Sequence, residues 1–317
     1  AIKGVAHKLM KQGKNHIITT KFEHHAVLHT CAALEKEGFT VTYLDVHENG
    51  VVVPEEVEAA ITDKTALVTI MYANNEIGTV QPIEEIGRIC REKGVLFHTD
   101  AVQAAGHMHI DVKEQKIDML SLSAHKFHGP KGVGVLYVRK GTKIKPFMIG
   151  GHQENGRRAG TENVPYIVGL AKACEIATAN LETEAKTVGA MRDRLEAGIL
   201  ATCPDVRVNG DRSRRLPNTL NVSFEYVEGE AIAYRLSDLG ICISTGSACA
   251  SGSLDPSHVI RAMGVPFTAV HGSVRFSLSR YTTDEDIDYA LSHIGPVIRG
   301  LRELSPFGPG SDVTTYS

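Results

Sequence analysis

Lys126 stands in the run Ser123-Ala124-His125-Lys126-Phe127-His128-Gly129-Pro130-Lys131-Gly132, which follows an apolar stretch and carries glycines where the chain must change direction sharply. Its amine could form a Schiff base, while a lysine at such a place also reads as a solvated surface charge. Asp100 follows the apolar run Val95-Leu96-Phe97-His98. A carboxylate at the end of a strand reads equally as the partner of a protonated ring nitrogen or as the cap of the following segment. The pair says more than either residue. An aspartate, and then a lysine about one β-α-β spacing later, each at a strand end, meet the needs of a cofactor that takes a Schiff base and a ring partner together. That is the chemistry of pyridoxal phosphate, whose protonated ring acts as an electron sink.

Cys249 sits within Ser244-Thr245-Gly246-Ser247-Ala248-Cys249-Ala250-Ser251-Gly252-Ser253. Small polar residues and glycine make this a flexible loop, on which a thiol is accessible and able to travel. A structural cysteine sits instead in apolar sequence such as Ile241-Cys242-Ile243. Cys31, Cys90, Cys174, Cys203 and Cys242 make no CxxC pair and read as buried apolar fillers with reduced thiols. Arg275, in a short strand pattern, could pair bidentately with a substrate carboxylate, although spacing alone favours a structural ion pair. Arg157-Arg158 lies in a loop and leaves an anion contact, a subunit contact and plain solvation open. The 15 histidines contain no HExxH and no paired Cys/His spacing, so no metal site is read.

These residues need a scaffold that brings strand ends together. Short β-rich runs at 17–20, 41–44, 66–71, 95–98 and 119–122 alternate with helical patterns at 26–37 and 82–93, the first stopping at Gly38 and the second at Gly94. Alternation of this kind predicts a mostly parallel sheet with right-handed crossovers. A further strand at 132–138 returns after Lys126, and an antiparallel return there gives a mixed sheet. Residues 161–200 form one long helical pattern; after it come strands at 206–208, 219–224 and 273–278 and helices at 229–239 and 284–304. The reading is an α/β chain with a large domain over 1–180 and a smaller α+β domain over 181–317. Residues 1–12 read as a helix already under way, ending near Gly13, as though a further N-terminal part preceded it.

Composition narrows the class. The 317 residues are 42% hydrophobic and 22% charged, enough for a full core and too apolar for a disordered chain. A formal charge of -3 supplies no basic field for nucleic acid, and no apolar stretch is long enough to span a membrane. With no signal-peptide pattern at the N-terminus, a cytoplasmic location is expected.

Three stretches together resemble the cysteine desulfurases of the NifS/IscS type, within the fold-type I enzymes that use pyridoxal phosphate. They are Ser123-Ala124-His125-Lys126 with Gly129-Pro130-Lys131-Gly132, Arg157-Arg158-Ala159-Gly160-Thr161-Glu162-Asn163, and Ser247-Ala248-Cys249. The resemblance runs over essentially the whole chain. It implies that Lys126 carries the cofactor, Asp100 pairs with the ring nitrogen, Gln103 bonds the ring hydroxyl and His24 stacks on the ring face and takes part in catalysis. Ser123 and His125 would bind the phosphate, with Thr161 reaching the phosphate of a neighbouring subunit, so that a homodimer with composite sites is expected. Asn75, in Asn74-Asn75-Glu76-Ile77-Gly78, and Arg275 would hold the substrate carboxylate, and Cys249 would accept sulfur.

By the same resemblance L-cysteine becomes L-alanine, a persulfide forms on Cys249, and the sulfur passes to an iron-sulfur scaffold or another acceptor protein. The long Ser/Gly/Ala loop resembles group I of the family. A Gly-Ala-Thr phosphate-binding turn would belong upstream of the residue matching Ala1, and without it these residues would bind the phosphate less well. The rival readings are a selenocysteine lyase, a class V aminotransferase and a non-catalytic sulfur-carrier scaffold.

Overall fold

The computed structural model describes residues 1–246, 256–306 and 308, and the chain divides into two compact units. The first comprises Ala1–Val46, Val51–Asn74 and Val80–Leu181. The second comprises His47–Gly50, Asn75–Thr79 and the chain from Glu182 onward.

In the first unit a helix α1 (Ile2–Leu9) passes through a 3-10 turn (Met10–Gln12) and stops at Gly13, whose φ of 79° is the left-handed conformation that ends helices. There follow β1 (His16–Thr20), α2 (His25–Glu35), β2 (Thr40–Leu44), α3 (Pro54–Ala60), β3 (Thr65–Thr69), α4 (Ile83–Glu92), β4 (Leu96–Asp100), β5 (Met119–Ser123), a 3-10 turn (Ala124–Phe127), β6 (Gly134–Val138), a distorted turn α5 (Gln153–Gly156) and the long α6 (Val164–Thr202), which continues beyond this unit. The strand order is β2-β1-β3-β4-β5-β6. All neighbours are parallel except β5 and β6. The expected mostly parallel, mixed sheet is therefore present.

Burial explains the pattern. Every residue of β1 and β3 is buried, as befits central parallel strands covered on both faces, whereas the edge strands β2 and β6 keep exposed positions. Asp118, only 2% exposed, locks the β4–β6 region: it accepts from the Phe97 amide at 2.9 Å and pairs with Arg139 at 2.5 Å and Arg91 at 3.2 Å.

In the second unit β7 (Val206–Val208), β8 (Thr219–Phe224) and β9 (Ser273–Ser277) form an antiparallel sheet in the order β7-β8-β9. It carries α7 (Gly229–Ser237), α8 (His258–Ala262), α9 (Phe267–Val270) and α10 (Asp284–Leu304). A core including Leu220, Val222, Phe224, Ile232, Val274 and Ile294 is shared between sheet and helices. Helix α10 starts where the sequence places it because Thr283 and Asp286 form a capping box.

Two sequence readings are corrected. Cys242 is exposed and Cys174 half-buried, so neither is a buried filler. Flanking Ile241 and Ile243 pack on the second unit's core while Cys242 between them is exposed. The short helices α3, α8 and α9 are not among the elements expected from the sequence, although Pro54 with Glu55 and Glu56 is a recognisable helix start.

Candidate active site

Four segments leave the carboxyl ends of parallel strands in the first unit. From β1 the chain runs to Glu23 and His24, from β3 to Asn74, from β4 directly at Asp100, and from β5 through Ser123 to Lys126. With β2 outside β1, the sheet reverses its strand order between β1 and β3, the place where open α/β sheets bind ligands.

Lys126 is set by its neighbours. In the 3-10 turn Ala124 and Phe127, three residues apart, fall on one face and are buried in a cluster with Ala105, Leu170, Ala173 and Ala177; His125 and Lys126 fall on the exposed face. The turn closes tightly: the Gly129 amide donates to the Ala124 carbonyl at 2.9 Å. A Cβ on Gly129 would lie 2.9 Å from that of Ala124, so glycine is required by close approach. Lys126 thus stands on a braced turn.

Asp100 is the electrostatic centre. Burial raises its carboxyl above the usual range, while the Val102 amide, donating to Oδ1 at 3.0 Å, and the charges of His24 and Lys126 pull it back. Asp100 therefore caps the following turn and lies within the electrostatic reach of Lys126 and His24. His24 is extended (φ -61°, ψ 147°) and caps α2, its Nδ1 accepting from the Ala26 amide at 3.1 Å. Gln103 is half-buried in the turns after β4. His125 is exposed, with a pKa lowered by desolvation and then by Lys126 and Lys131.

Thr161 is exposed just before α6. In the second unit, Arg275 Nη1 donates to the Asn75 carbonyl at 2.6 Å, so these two expected carboxylate ligands are neighbours. Arg275 Nε and Asn75 Oδ1 are buried without a hydrogen-bond partner among the described residues. Burial lowers the Arg275 pKa and Glu76 opposes the change. Cys249 lies outside the described residues.

The chain matches the Aminotransferase class-V family over residues 1–290. It is 57% identical over 299 residues to a cysteine desulfurase of Nostoc sp. (strain PCC 7120 / SAG 25.82 / UTEX 2576), covering 94% of this chain and 75% of the relative. The chain belongs to the cysteine desulfurases. Among solved structures similar to this cysteine desulfurase, a NifS-like protein superposes with a TM-score of 0.88 at 43% identity, covering 95% of this chain and 79% of the other. A structure described as SspA in complex with cysteine gives a TM-score of 0.76 at 40% identity, covering 89% and 78%. Class V enzymes, cysteine desulfurases among them, depend on pyridoxal phosphate. The donor set fits that group: Asp100 is a carboxyl made costly to ionise by burial, and a protonated ring nitrogen is the cation that would offset the cost.

Sequence reasoning passed over two buried polar residues of this desulfurase. Glu23 is fully buried, its Oε1 accepting from the Met71 amide at 2.8 Å and from Thr20 Oγ1 at 3.0 Å. Burial above all, with Asp100 adding, raises its pKa to about 8. His98, on β4, bridges Thr69 Oγ1 at 2.8 Å and Ser121 Oγ at 2.9 Å, and burial lowers it to about 3, so it stays neutral. The only sequence signal for either was its place beside a chemistry-bearing strand end.

Proposed function

We propose that this cysteine desulfurase converts L-cysteine to L-alanine, that Lys126 holds pyridoxal phosphate, and that Cys249 takes the sulfur as a persulfide. The observation that carries this reading is the desolvated carboxyl of the half-buried Asp100, lying within the influence of both His24 and Lys126. The likeness to a structure described as containing cysteine supports the substrate.

When bound, the cofactor supplies an electron sink for charge developing at the substrate's Cα. Asp100 would accept the ring N–H, Gln103 would meet the ring hydroxyl and His24 would lie on the ring face. Ser123 and His125 would take phosphate oxygens. Arg275, with an unpartnered buried Nε, and Asn75 suit a carboxylate, which accepts from a guanidinium in two places. The displaced Lys126 Nζ would carry the Cα proton. The Cys249 thiolate would form an S–S bond as the substrate's Cβ–S bond breaks, and protonation of the carbon would release alanine.

A homodimer suits the first unit, whose exposed apolar residues Phe147, Ile149, Val164 and Val168 flank Thr161 in sequence and are 59–85% exposed. In that assembly Thr161 would reach the second copy's phosphate. The sulfur acceptor would be an iron-sulfur scaffold or a comparable protein. The five described cysteines are free, and a persulfide carrier suits the reducing cytoplasm. No helix among the described residues is long and apolar enough to cross a membrane.

The test is addition of L-cysteine to purified protein loaded with pyridoxal phosphate, following alanine and sulfide and comparing Lys126→Ala and Cys249→Ser. Alanine from the wild type and none from either variant is expected. Alanine formation that survives Cys249→Ser would refute the persulfide route.

A further inference from the structure

We propose that Glu23 is a positioning residue for the cofactor-facing pair His24 and Asp100, bracing the turn between β1 and α2 against the end of β3 as a neutral acid. One carboxyl oxygen does the bracing: Glu23 Oε1 accepts from Thr20 Oγ1, the last residue of β1, at 3.0 Å, and from the Met71 amide, just beyond β3, at 2.8 Å. The preceding residue repeats the tie, because the Phe22 carbonyl accepts from Asn74 Nδ2 at 3.0 Å. Phe22 and Glu23 are both fully buried, and the next residue is His24 in extended conformation. The side chain expected to meet the ring face therefore leaves a turn pinned twice to the neighbouring strand's end.

The neutral form follows from what surrounds it. The charge of Asp100, at the end of β4, opposes ionisation of the fully buried Glu23, and two carboxyls that act on each other cannot both ionise cheaply. Of the other titratable groups acting here, the Cys31 thiol of α2 is pushed up to about 12 and stays uncharged, while His24 and Lys126 act on Asp100 and favour its charge. Charge thus settles on Asp100, where a ring nitrogen needs it, and Glu23 keeps its proton. A carbonyl oxygen accepting two hydrogen bonds is the geometry a protonated acid or an amide can supply equally. The cofactor half of this inference rests on the reading of Asp100 given under Proposed function; the protonation half does not.

The sign of the pH effect is fixed. An acid whose folded pKa is raised contributes stability that is complete below its unfolded value and is lost as pH rises through about 8. Glu23→Gln removes that dependence. The experiment compares wild type, Glu23→Gln and Glu23→Ala by apoprotein melting from pH 5 to 9, by pyridoxal phosphate affinity at pH 7, and by infrared spectra of protein carrying isotope-labelled glutamate. Wild type should melt progressively lower relative to Glu23→Gln as pH rises, and should show a protonated glutamate band at pH 6.5 that disappears by pH 9. Glu23→Gln should keep its cofactor affinity within about threefold, and Glu23→Ala should lose about tenfold or more, the equivalent of one hydrogen bond to a neutral group. Absence of the band, or melting differences independent of pH, overturns the neutral acid. Full affinity in Glu23→Ala overturns the bracing. Wild-type protein that takes up no cofactor strikes the functional reading instead, and the infrared band in the apoprotein still decides the protonation.

Discussion

Ser257 Oγ donates to Glu76 Oε2 at 2.5 Å, joining the residue before α8 to a buried carboxyl of the Asn74-Asn75-Glu76-Ile77-Gly78 stretch. The same carboxyl stands where a Cβ on Gly246 would approach to 2.8 Å and acts on Arg275. Glu76 therefore gathers the expected carboxylate-binding arginine and the described residues on either side of 247–255, all within the second unit.

Ser257→Ala removes a hydrogen bond to a charged group and also the cap that accepts from the Val259 amide at 3.1 Å. A loss of about 1.5–3 kcal/mol is expected for the former, with up to about 1 kcal/mol more from the cap. Thermal melting of the apoprotein reads it; a variant as stable as wild type means the hydrogen bond is not net stabilising.

Asp100→Asn should move stability and function in opposite directions. Burial holds the carboxyl above its ordinary range, so its contribution to stability is complete at acid pH and is lost as pH rises past the usual aspartate range. The asparagine apoprotein should therefore gain stability over wild type as pH rises above the usual aspartate range, while turnover of L-cysteine drops by roughly 10²–10⁴ as the electron sink weakens. Parallel melting curves across that rise would contradict the first half, and undiminished turnover the second.

Arg275→Lys keeps the charge and loses the planar fork that now reaches the Asn75 carbonyl. Steady-state kinetics should register a rise of about tenfold or more in KM for L-cysteine, worth about 1.4 kcal/mol, with a smaller change in kcat. An unchanged KM would remove Arg275 from the substrate site.

Phe127→Ala empties the cluster under the Lys126 turn, where Phe127 is 2% exposed. About 3–5 kcal/mol of stability should go, as for buried aromatic truncations. Denaturant unfolding measures the loss, and Phe127→Leu, which refills most of the space, should recover the larger part of it.

Much of the site was legible because chemistry and periodicity coincided. Asp100 and Lys126 each follow an apolar run, and the runs became β4 and β5, neighbours in the sheet. Asn75 was named only through family resemblance, and spacing alone favoured a structural ion pair for Arg275; the two are 200 positions apart in the chain, and their contact arises from packing within the second unit. Glu23 escaped notice because Thr20-Lys21-Phe22-Glu23-His24-His25 is polar enough to read as a solvated turn. Nothing local announces that folding will bury it or bring the Met71 amide to it. Cys242 failed for the opposite reason: apolar neighbours suggested burial, and in the fold those neighbours pack on the core while Cys242 is exposed.

The order of strands and helices, the parallel sheet and the pairing of an aspartate with a lysine at strand ends are all properties of the one-dimensional chain, since they depend on local periodicity and on which residue follows which run. Protonation and orientation are not. Whether Asp100, Glu23 and His98 are charged depends on how much water folding removes and on which distant residues arrive beside them: Met71 for Glu23, Thr69 and Ser121 for His98, His24 and Lys126 for Asp100. Desolvation and long-range contact are three-dimensional quantities, and they turn a list of suitable residues into a site with an assigned charge.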